Sequence, residues 1–398
     1  MNHTPQRRFH YGHVIVLCCC LIMAVNAGLA MSCAGIFYTP VSESLGVKVG
    51  VFGFYMSFCF MASTLMLSVA GRLIERFGAR LLLSLSSGIM GACMVTMGFF
   101  TAVWQFYVAG AVIGITLAFL YYLSFPTLVN SWFRTRVGFY MGLCSASMGL
   151  GGALFSPVCT ALIAAYGWRV TYEVLGAFIL LGVTPLLALL LRNAPQASPA
   201  GSEQRAQAPA AEGTDYATAR RMPVFYVLVV YALLVNATAP LCLFMPSYVT
   251  PLASAELGGY VAAAVMLGVA VGKVALGIIN DRSHALGVVV STLCGVLGLL
   301  VLSFGALWAF VPGAFLFGWA FAGVSVQTPL LVRSVFGSRC YTLINSKVSI
   351  ALAAGGVLAG GWGFLADATS YRCIFLIGCA FLTSCLVLGL YALHTRKM

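Results

Sequence analysis

Charge is scarce in this chain. Only 8% of its 398 residues are Asp, Glu, Lys or Arg, against about a quarter in an ordinary soluble domain. With 61% of the residues hydrophobic, no water-exposed globule could bury the apolar surface, which excludes a soluble enzyme or soluble binding module. Acids are scarcest, nine in all. Each can be placed in a loop or near the end of an apolar run, Glu173 being the one nearest an interior. A cation or drug exporter would be expected to hold an acid within a span, and none is apparent. Fourteen cysteines include no C-x-x-C pair, and nearly all lie in apolar runs, among them Cys18 to Cys20, Cys59, Cys93, Cys294 and Cys379. There they act as small hydrophobes, so neither a disulfide framework nor a metal site is expected. The five histidines are scattered without ligand spacing. No nucleophile–base pair or phosphate loop appears, so an enzyme and a cofactor are not expected.

What the chain does have is long apolar runs. A helix needs about 20 apolar residues to cross about 30 Å of hydrocarbon. Twelve spans can be drawn, at about 13–38, 49–70, 81–100, 104–129, 137–165, 169–191, 223–249, 257–280, 285–305, 308–332, 340–366 and 371–393. The first follows Arg7 and Arg8 but is too long for a signal-peptide core, and reads as a retained span. The only long polar interval, 192–222, carries Pro195, Pro199 and Pro209 among Ala, Gln and Ser. It reads as a flexible linker. The expected organisation is an N-terminal six-helix bundle over 1–192, a cytoplasmic linker over 193–222 and a C-terminal six-helix bundle over 223–398.

The net charge of +12 raises the question of nucleic acid, and its placement answers it. With the N-terminus inside, sixteen of the 21 Lys and Arg fall on the inner side. Lys48, Arg169 and Arg372 fall on the outer side, and two remain within spans. That bias predicts a multi-pass protein of the cell membrane with both termini cytoplasmic. No nucleic-acid partner is needed to explain the basic balance, and a monomer in the bilayer is expected.

The halves repeat each other. Gly71-Arg-Leu-Ile-Glu75-Arg76 follows span two, and Gly277-Ile-Ile-Asn-Asp281-Arg282 follows span eight. Phe133 and Arg136 match Phe336 and Arg339, Gly151-Gly152 match Gly355-Gly356, and Trp168-Arg169 match Tyr371-Arg372, all at offsets of 203 to 206 residues. Two halves of the same hand predict a parallel repeat with a site at their interface near the bilayer midplane. Glycines at three- and four-residue spacing in span five (Gly138, Gly142, Gly149, Gly151, Gly152) predict close helix packing.

Lys273 in span eight and Lys347 in span eleven are the only bases well inside any span. A charge at the bilayer centre costs about 2.5–3.5 kcal/mol on insertion scales and usually faces a cavity. Lys273 lies seven residues from Asn280 and Lys347 eight from Arg339, about 10 and 12 Å by helical rise. Their matching depths predict that both reach one site. The repeat places Leu67 and Cys144 at the corresponding positions of the first half, so the scaffold itself requires neither lysine. The competing reading is snorkelling toward headgroups. Tyr38, Tyr122, Trp319, Gln327, Asn345, Asn26 and Asn236 are candidates to complete the site, each with packing as its alternative role.

Gly71-Arg72-Leu73-Ile74-Glu75-Arg76-Phe77-Gly78-Ala79-Arg80 resembles the loop signature G-x-x-x-D-R-x-G-R-R of the major facilitator superfamily, with Glu75 for the usual Asp and Ala79 for one Arg. Within it, Asn130-Ser-Trp132-Phe133-Arg134-Thr-Arg136-Val-Gly138, Tyr166-Gly167-Trp168-Arg169 and Ile36-Phe37-Tyr38-Thr-Pro40 are similar to the monocarboxylate transporters and the bacterial oxalate:formate antiporters. The resemblance implies an all-α membrane protein of twelve transmembrane helices in two six-helix bundles. It also implies a conformational latch at Gly71, Arg72, Glu75, Arg76, Gly78 and Arg80 and at Gly277, Asp281 and Arg282; the competing reading of these charges is a solvated face that fixes topology. In the oxalate:formate family a base precedes the span-eight Gly by four residues, as Lys273 precedes Gly277. A lysine there follows a Tyr-x-Leu-Leu/Ile stretch, as Lys347 follows Tyr341-Thr-Leu-Ile344. The two bases bind substrate carboxylates. Arg is usual at the first position, and Lys lacks its bidentate grip, which departs from an oxalate site. The monocarboxylate symporters carry an Asp four residues before the span-eight base, where this chain has Val269.

The expected function is alternating-access transport of a small organic anion, a mono- or dicarboxylate, by exchange. Proton-coupled monocarboxylate symport is the alternative, and a non-transporting membrane sensor on the same fold a more distant one.

Overall fold

The structure, a computed structural model, describes residues 11–133, 137–192, 214–337 and 340–395. Eleven helical stretches among them are long and apolar enough to cross a membrane. They are α1 (Gly12–Leu45), α2 (Val49–Ile74), α3 (Ala79–Met97), α4 (Val103–Val129), Phe139–Leu190, α7 (Pro223–Val249), α8 (Ala255–Arg282), α9 (His284–Ser303), α10 (Leu307–Phe336), α11 (Leu343–Ala368) and α12 (Tyr371–His394). Phe139–Leu190 has 52 residues, far more than one crossing needs. It breaks at Gly167, whose φ of +80° is open to glycine and strained for other residues. The break gives α5 (139–166) and α6 (168–190). The twelve crossings are those the apolar runs predict, and the architecture is two six-helix bundles.

Local chemistry sets the helix starts. Ser254, Ser283 and Ser370 accept the N–H groups of Leu257, Leu286 and Cys373 and so cap α8, α9 and α12. Pro223 opens α7, where its missing N–H costs nothing.

The sequence repeat is also a packing repeat. Gly114 of α4 rests on the backbone of Cys59 in α2, and Gly318 of α10 rests on Val265 in α8. Gly151 of α5 abuts Ala24 in α1, and Gly355 of α11 abuts Leu233 in α7. At each of the four a Cβ would collide with that backbone, so the small residue fixes the helix separation. The guanidinium of Arg169 donates to the carbonyls of Gly98 and Phe100 at 3.0 and 2.8 Å and stacks on Trp168. That ties α6 to the α3–α4 turn. Arg372 lies against Gly305 in the corresponding α9–α10 turn.

One expectation is corrected. The polar interval does not run as linker to 222. The Asp215 carboxylate caps a short helix, Tyr216–Ala219, through the N–H of Ala217. The N–H of Thr214 donates to the Phe336 carbonyl at 2.9 Å. Ala219 is buried with Val224, Phe225 and Phe336, because this stretch carries an Asp cap and apolar side chains that can pack on the end of α10. Residues 193–213 lie outside the described residues.

Two seams join the bundles. In one, Gly149 and Gly152 of α5 pack on Met266 of α8, and Gly259 of α8 on Thr160 of α5. In the other, Gly356, Gly360 and Gly363 of α11 pack on Phe60, Phe54 and Gly50 of α2. Here the Ser57 hydroxyl donates to the Val357 carbonyl at 2.7 Å and accepts the Gly360 N–H at 2.8 Å. The Asp367 carboxylate accepts the N–H of Gly50 at 2.8 Å, one of the first-turn donors of α2 that have no partner within their own helix. Gly35 of α1 also meets the backbone of Leu243 in α7. These contacts run from mid-bundle to the end away from the chain termini, which they close.

Candidate functional site

Between the seams lies a cavity of about 450 Å³, within the range of about 300–1,000 Å³ typical of small-molecule sites. Lys273 is the one charged residue among the described residues that line it. Its ammonium donates to Ser145 of α5, at 3.1 Å to the carbonyl and 2.8 Å to the hydroxyl. The bond crosses from one bundle to the other, and both partners are neutral. Among the described residues no Asp or Glu lines the cavity.

α1 and α4 shape the wall through wider, π-type turns at Ile22–Ser32 and Ala118–Leu123. Such turns recur at functional positions. The one in α4 brings neighbouring Tyr121 and Tyr122 to the cavity together, and the one in α1 presents Met23, Met31 and Ser32. The second bundle supplies most of the neutral polar groups: Asn236, Ser325, Thr328, Asn345 and Ser349. The Asn236 amide is itself held by the Leu352 carbonyl at 2.6 Å.

Of the expected site residues, the structure brings Lys273, Tyr122, Asn345 and Asn236 to the cavity. It does not bring Lys347. That side chain is exposed on the outer face of α11, in line with Leu343 and Ile350, which are 46% and 59% exposed. The cavity face of α11 carries Asn345, Ser349, Leu352 and Ala353. Two residues along a helix turn the side chain by about 200°, so Lys347 points away from the site that Asn345 faces. The shared site predicted from matching depths is thereby corrected: depth agrees, direction does not.

Four other candidates also lie elsewhere. Tyr38 is fully buried beyond the cavity floor, its ring against Phe52, Tyr55 and Phe244. Trp319 packs over Gly272. Gln327 is buried with Asn280 against Gly287, between α8, α9 and α10. Asn26 donates to Ser87 at 2.9 Å, bracing α1 on α3. Residues without a sequence signal complete the wall, chiefly Ser145, Tyr121 and the methionines Met23, Met31, Met56 and Met148. Methionine at helical spacing reads as core filler until a fold places it at a cavity. Among the described residues no cluster of three His, Cys, Asp or Glu side chains is arranged to hold a metal.

Residues 20–258 match the family model described as Major Facilitator Superfamily. The chain belongs to the major facilitator superfamily. It is therefore a multi-pass membrane transporter of that type. The chain is 26% identical over 317 residues to the uncharacterized MFS-type transporter YhjX of Escherichia coli, covering 76% of this chain and 75% of that one. It is 30% identical over 159 residues to the probable sulfoacetate transporter SauU of Cupriavidus necator, and the match spans 39% of this chain but only 36% of that relative. Among solved structures the fold is similar to the nucleoside transporter NupG (TM-score 0.74, 12% identity, covering 96% of this chain and 100% of that one). It is likewise similar to a bacterial homologue of the human lysosomal transporter Spinster in an inward-facing, unoccupied conformation (TM-score 0.70, 15% identity, 98% and 96%).

The superfamily's loop signature occupies the end of the bundles that carries the termini. Gly78, with φ +82°, turns α2 into α3, and the Arg80 guanidinium donates to the Ala188 carbonyl in the last turn of α6 at 2.9 Å, where a cation suits the helix dipole. Arg76 lies over the Phe77 ring. Arg72, Asp281 and Arg282 are exposed. Glu75 is on the same helix, and its side chain lies outside the described residues. A Cβ at Gly71 or Gly277 would meet nothing within 4 Å, so neither glycine is pressed against a neighbour in this conformation. Arg134, Arg136 and Arg339 lie outside the described residues.

Proposed function

We propose that the chain moves a small monovalent organic anion by alternating access, binding it between Lys273 and Ser145. One observation carries this reading: among the described residues a single ammonium lines the cavity, bonded to neutral groups, with no carboxylate beside it. A charge in so apolar a place is costly unless compensated. An anion is the ligand that compensates it. The earlier expectation of a mono- or dicarboxylate narrows accordingly, because one lysine balances one charge. The oxalate:formate resemblance carries over at its first base and not at its second.

SauU is named for sulfoacetate, an organic anion with two negative charges, so the name supports an organic-anion cargo, while the single charge of the cargo rests on the one lysine alone. Closing the cavity without an anion would strand the ammonium, so the empty carrier returns slowly and exchange is favoured over net flow. The Arg-rich end carries the cytoplasmic termini, in the cell membrane, and the closed far end faces outward. The latch reading of Gly71 to Arg80 and of Gly277, Asp281 and Arg282 belongs to the opposite, outward-facing state, in which these segments meet.

Thermal stabilisation of the purified chain by a panel of carboxylates tests the site. Monoanions are expected to raise the melting temperature of the wild type and not of Lys273→Gln. A neutral or cationic compound that stabilises both proteins equally would overturn the anion reading. Efflux from loaded proteoliposomes tests exchange: external anion should accelerate it, and equal rates with and without external anion would sink it.

A further inference from the structure

We infer that the transported anion has an apolar body of several carbons, its charged end at Lys273 and its body against the cavity floor. The inference rests on the anion reading above and adds the rest of the molecule to it. Depth along the helices carries it. α8 runs from the far end toward the termini, so Val269 lies one turn, about 6 Å, deeper than Lys273. α5 runs the other way, so Met148 lies about one turn deeper than Ser145. Below them the floor is made by Met31, Met56 and Leu243. From the ammonium to the closed end the wall is thus mostly apolar; its amide Asn236 and hydroxyl Ser325 are already held by the Leu352 and Ala322 carbonyls, and the Ser32 hydroxyl is left without a hydrogen-bond partner among the described residues.

A two-carbon dianion fits this wall badly. Its second charge would lie among methionines with no base to meet it, and most of the cavity would stay unfilled. A monoanion with an alkyl or aryl body fits both ends. Methionine suits such a body, because its flexible, polarisable thioether adapts to shape and makes favourable contacts with aromatic rings. Ser32 is where a single hydroxyl or keto oxygen on the body would be accepted.

A homologous series tests this. Binding of acetate, propanoate, butanoate, pentanoate and hexanoate to the purified full chain is measured by calorimetry, with the corresponding primary amides as uncharged controls. Each added methylene is expected to tighten binding about four-fold until the floor is reached, and the amides are expected not to bind. Met148→Ser should flatten the series and Met148→Leu should preserve it, which separates lost apolar contact from a damaged fold. A flat carboxylate series that still requires Lys273 overturns the apolar body alone. A series that binds Lys273→Gln as well as the wild type, or amides that bind as well as acids, overturns the anion site beneath it.

Discussion

The α5–α8 and α2–α11 seams occupy corresponding places in the repeat and are built alike, from glycines on one helix set against the other. Each also carries a lysine at similar depth. In the first seam Lys273 faces across the boundary and bonds to the opposite bundle. In the second Lys347 faces outward beside Leu343 and Ile350. The second seam holds itself together instead with a hydroxyl and a carboxylate, Ser57 and Asp367, both bonded to main-chain groups across the boundary. One repeated scaffold therefore carries two different seams: one presents an ammonium to the cavity, the other is bonded shut across the boundary. Single side chains make the difference.

The sharpest way to break this comparison is Lys273→Gln. Losing a charge-assisted contact of about 1.5–3 kcal/mol should cut anion affinity about 10- to 100-fold, read as the concentration needed for half-maximal counterflow. Asp367→Ala comes next. It removes an ionised acceptor from the Gly50 N–H and should shift the population about ten-fold toward conformations open at the far end, if the bond contributes about 1.5 kcal/mol. Spin labels at exposed Lys48 and Thr369 would report it as a longer distance component, and an unchanged distance distribution would deny Asp367 its closing role. Ser145→Ala should weaken anion binding by about three-fold, because the ammonium keeps the Ser145 carbonyl and loses one neutral partner worth about 0.5–1.5 kcal/mol. Lys347→Gln should have the smallest effect, under about two-fold on affinity, since an exposed charge contributes little. A Lys347→Gln loss as large as that of Lys273→Gln would erase the distinction between the seams.

Most of the fold could be read from the chain because the bilayer imposes length and composition on every crossing. The apolar runs locate all twelve helices, and the α5–α6 break is among the briefest, marked by Gly167 and the single charge of Arg169. The repeat was legible for a similar reason: Gly114 and Gly318, or Gly151 and Gly355, do the same steric job twice. The site was legible only in part. Lys273 announces itself by its energetic cost. Lys347 carries the same signal, yet distance along a helix fixes depth and says nothing of direction. The direction was available one step further, in the stripe of Leu343, Lys347 and Ile350 against that of Asn345, Ser349 and Leu352. Tyr38, Trp319 and Gln327 mislead because a polar atom on a buried side chain serves packing as readily as binding. The methionine floor was invisible, since nothing in a lone Met distinguishes core from cavity wall, and the wide turn of α1 at Ile22–Ser32 shifts the helical phase without a proline inside it, whereas that of α4 has Pro126 three residues beyond it.

The backbone-on-backbone contacts at the far end, Gly35 on Leu243 and Gly50 on Gly363, bear on speed as well as shape. A door closed by interlocking side chains must withdraw each one from its socket before it swings, and must find every rotamer again on return. Glycine has no rotamers to lose. Main-chain surfaces separate with little friction and meet again without a rotamer search, so the resistance to opening at this end is concentrated in the few hydrogen bonds of Ser57 and Asp367.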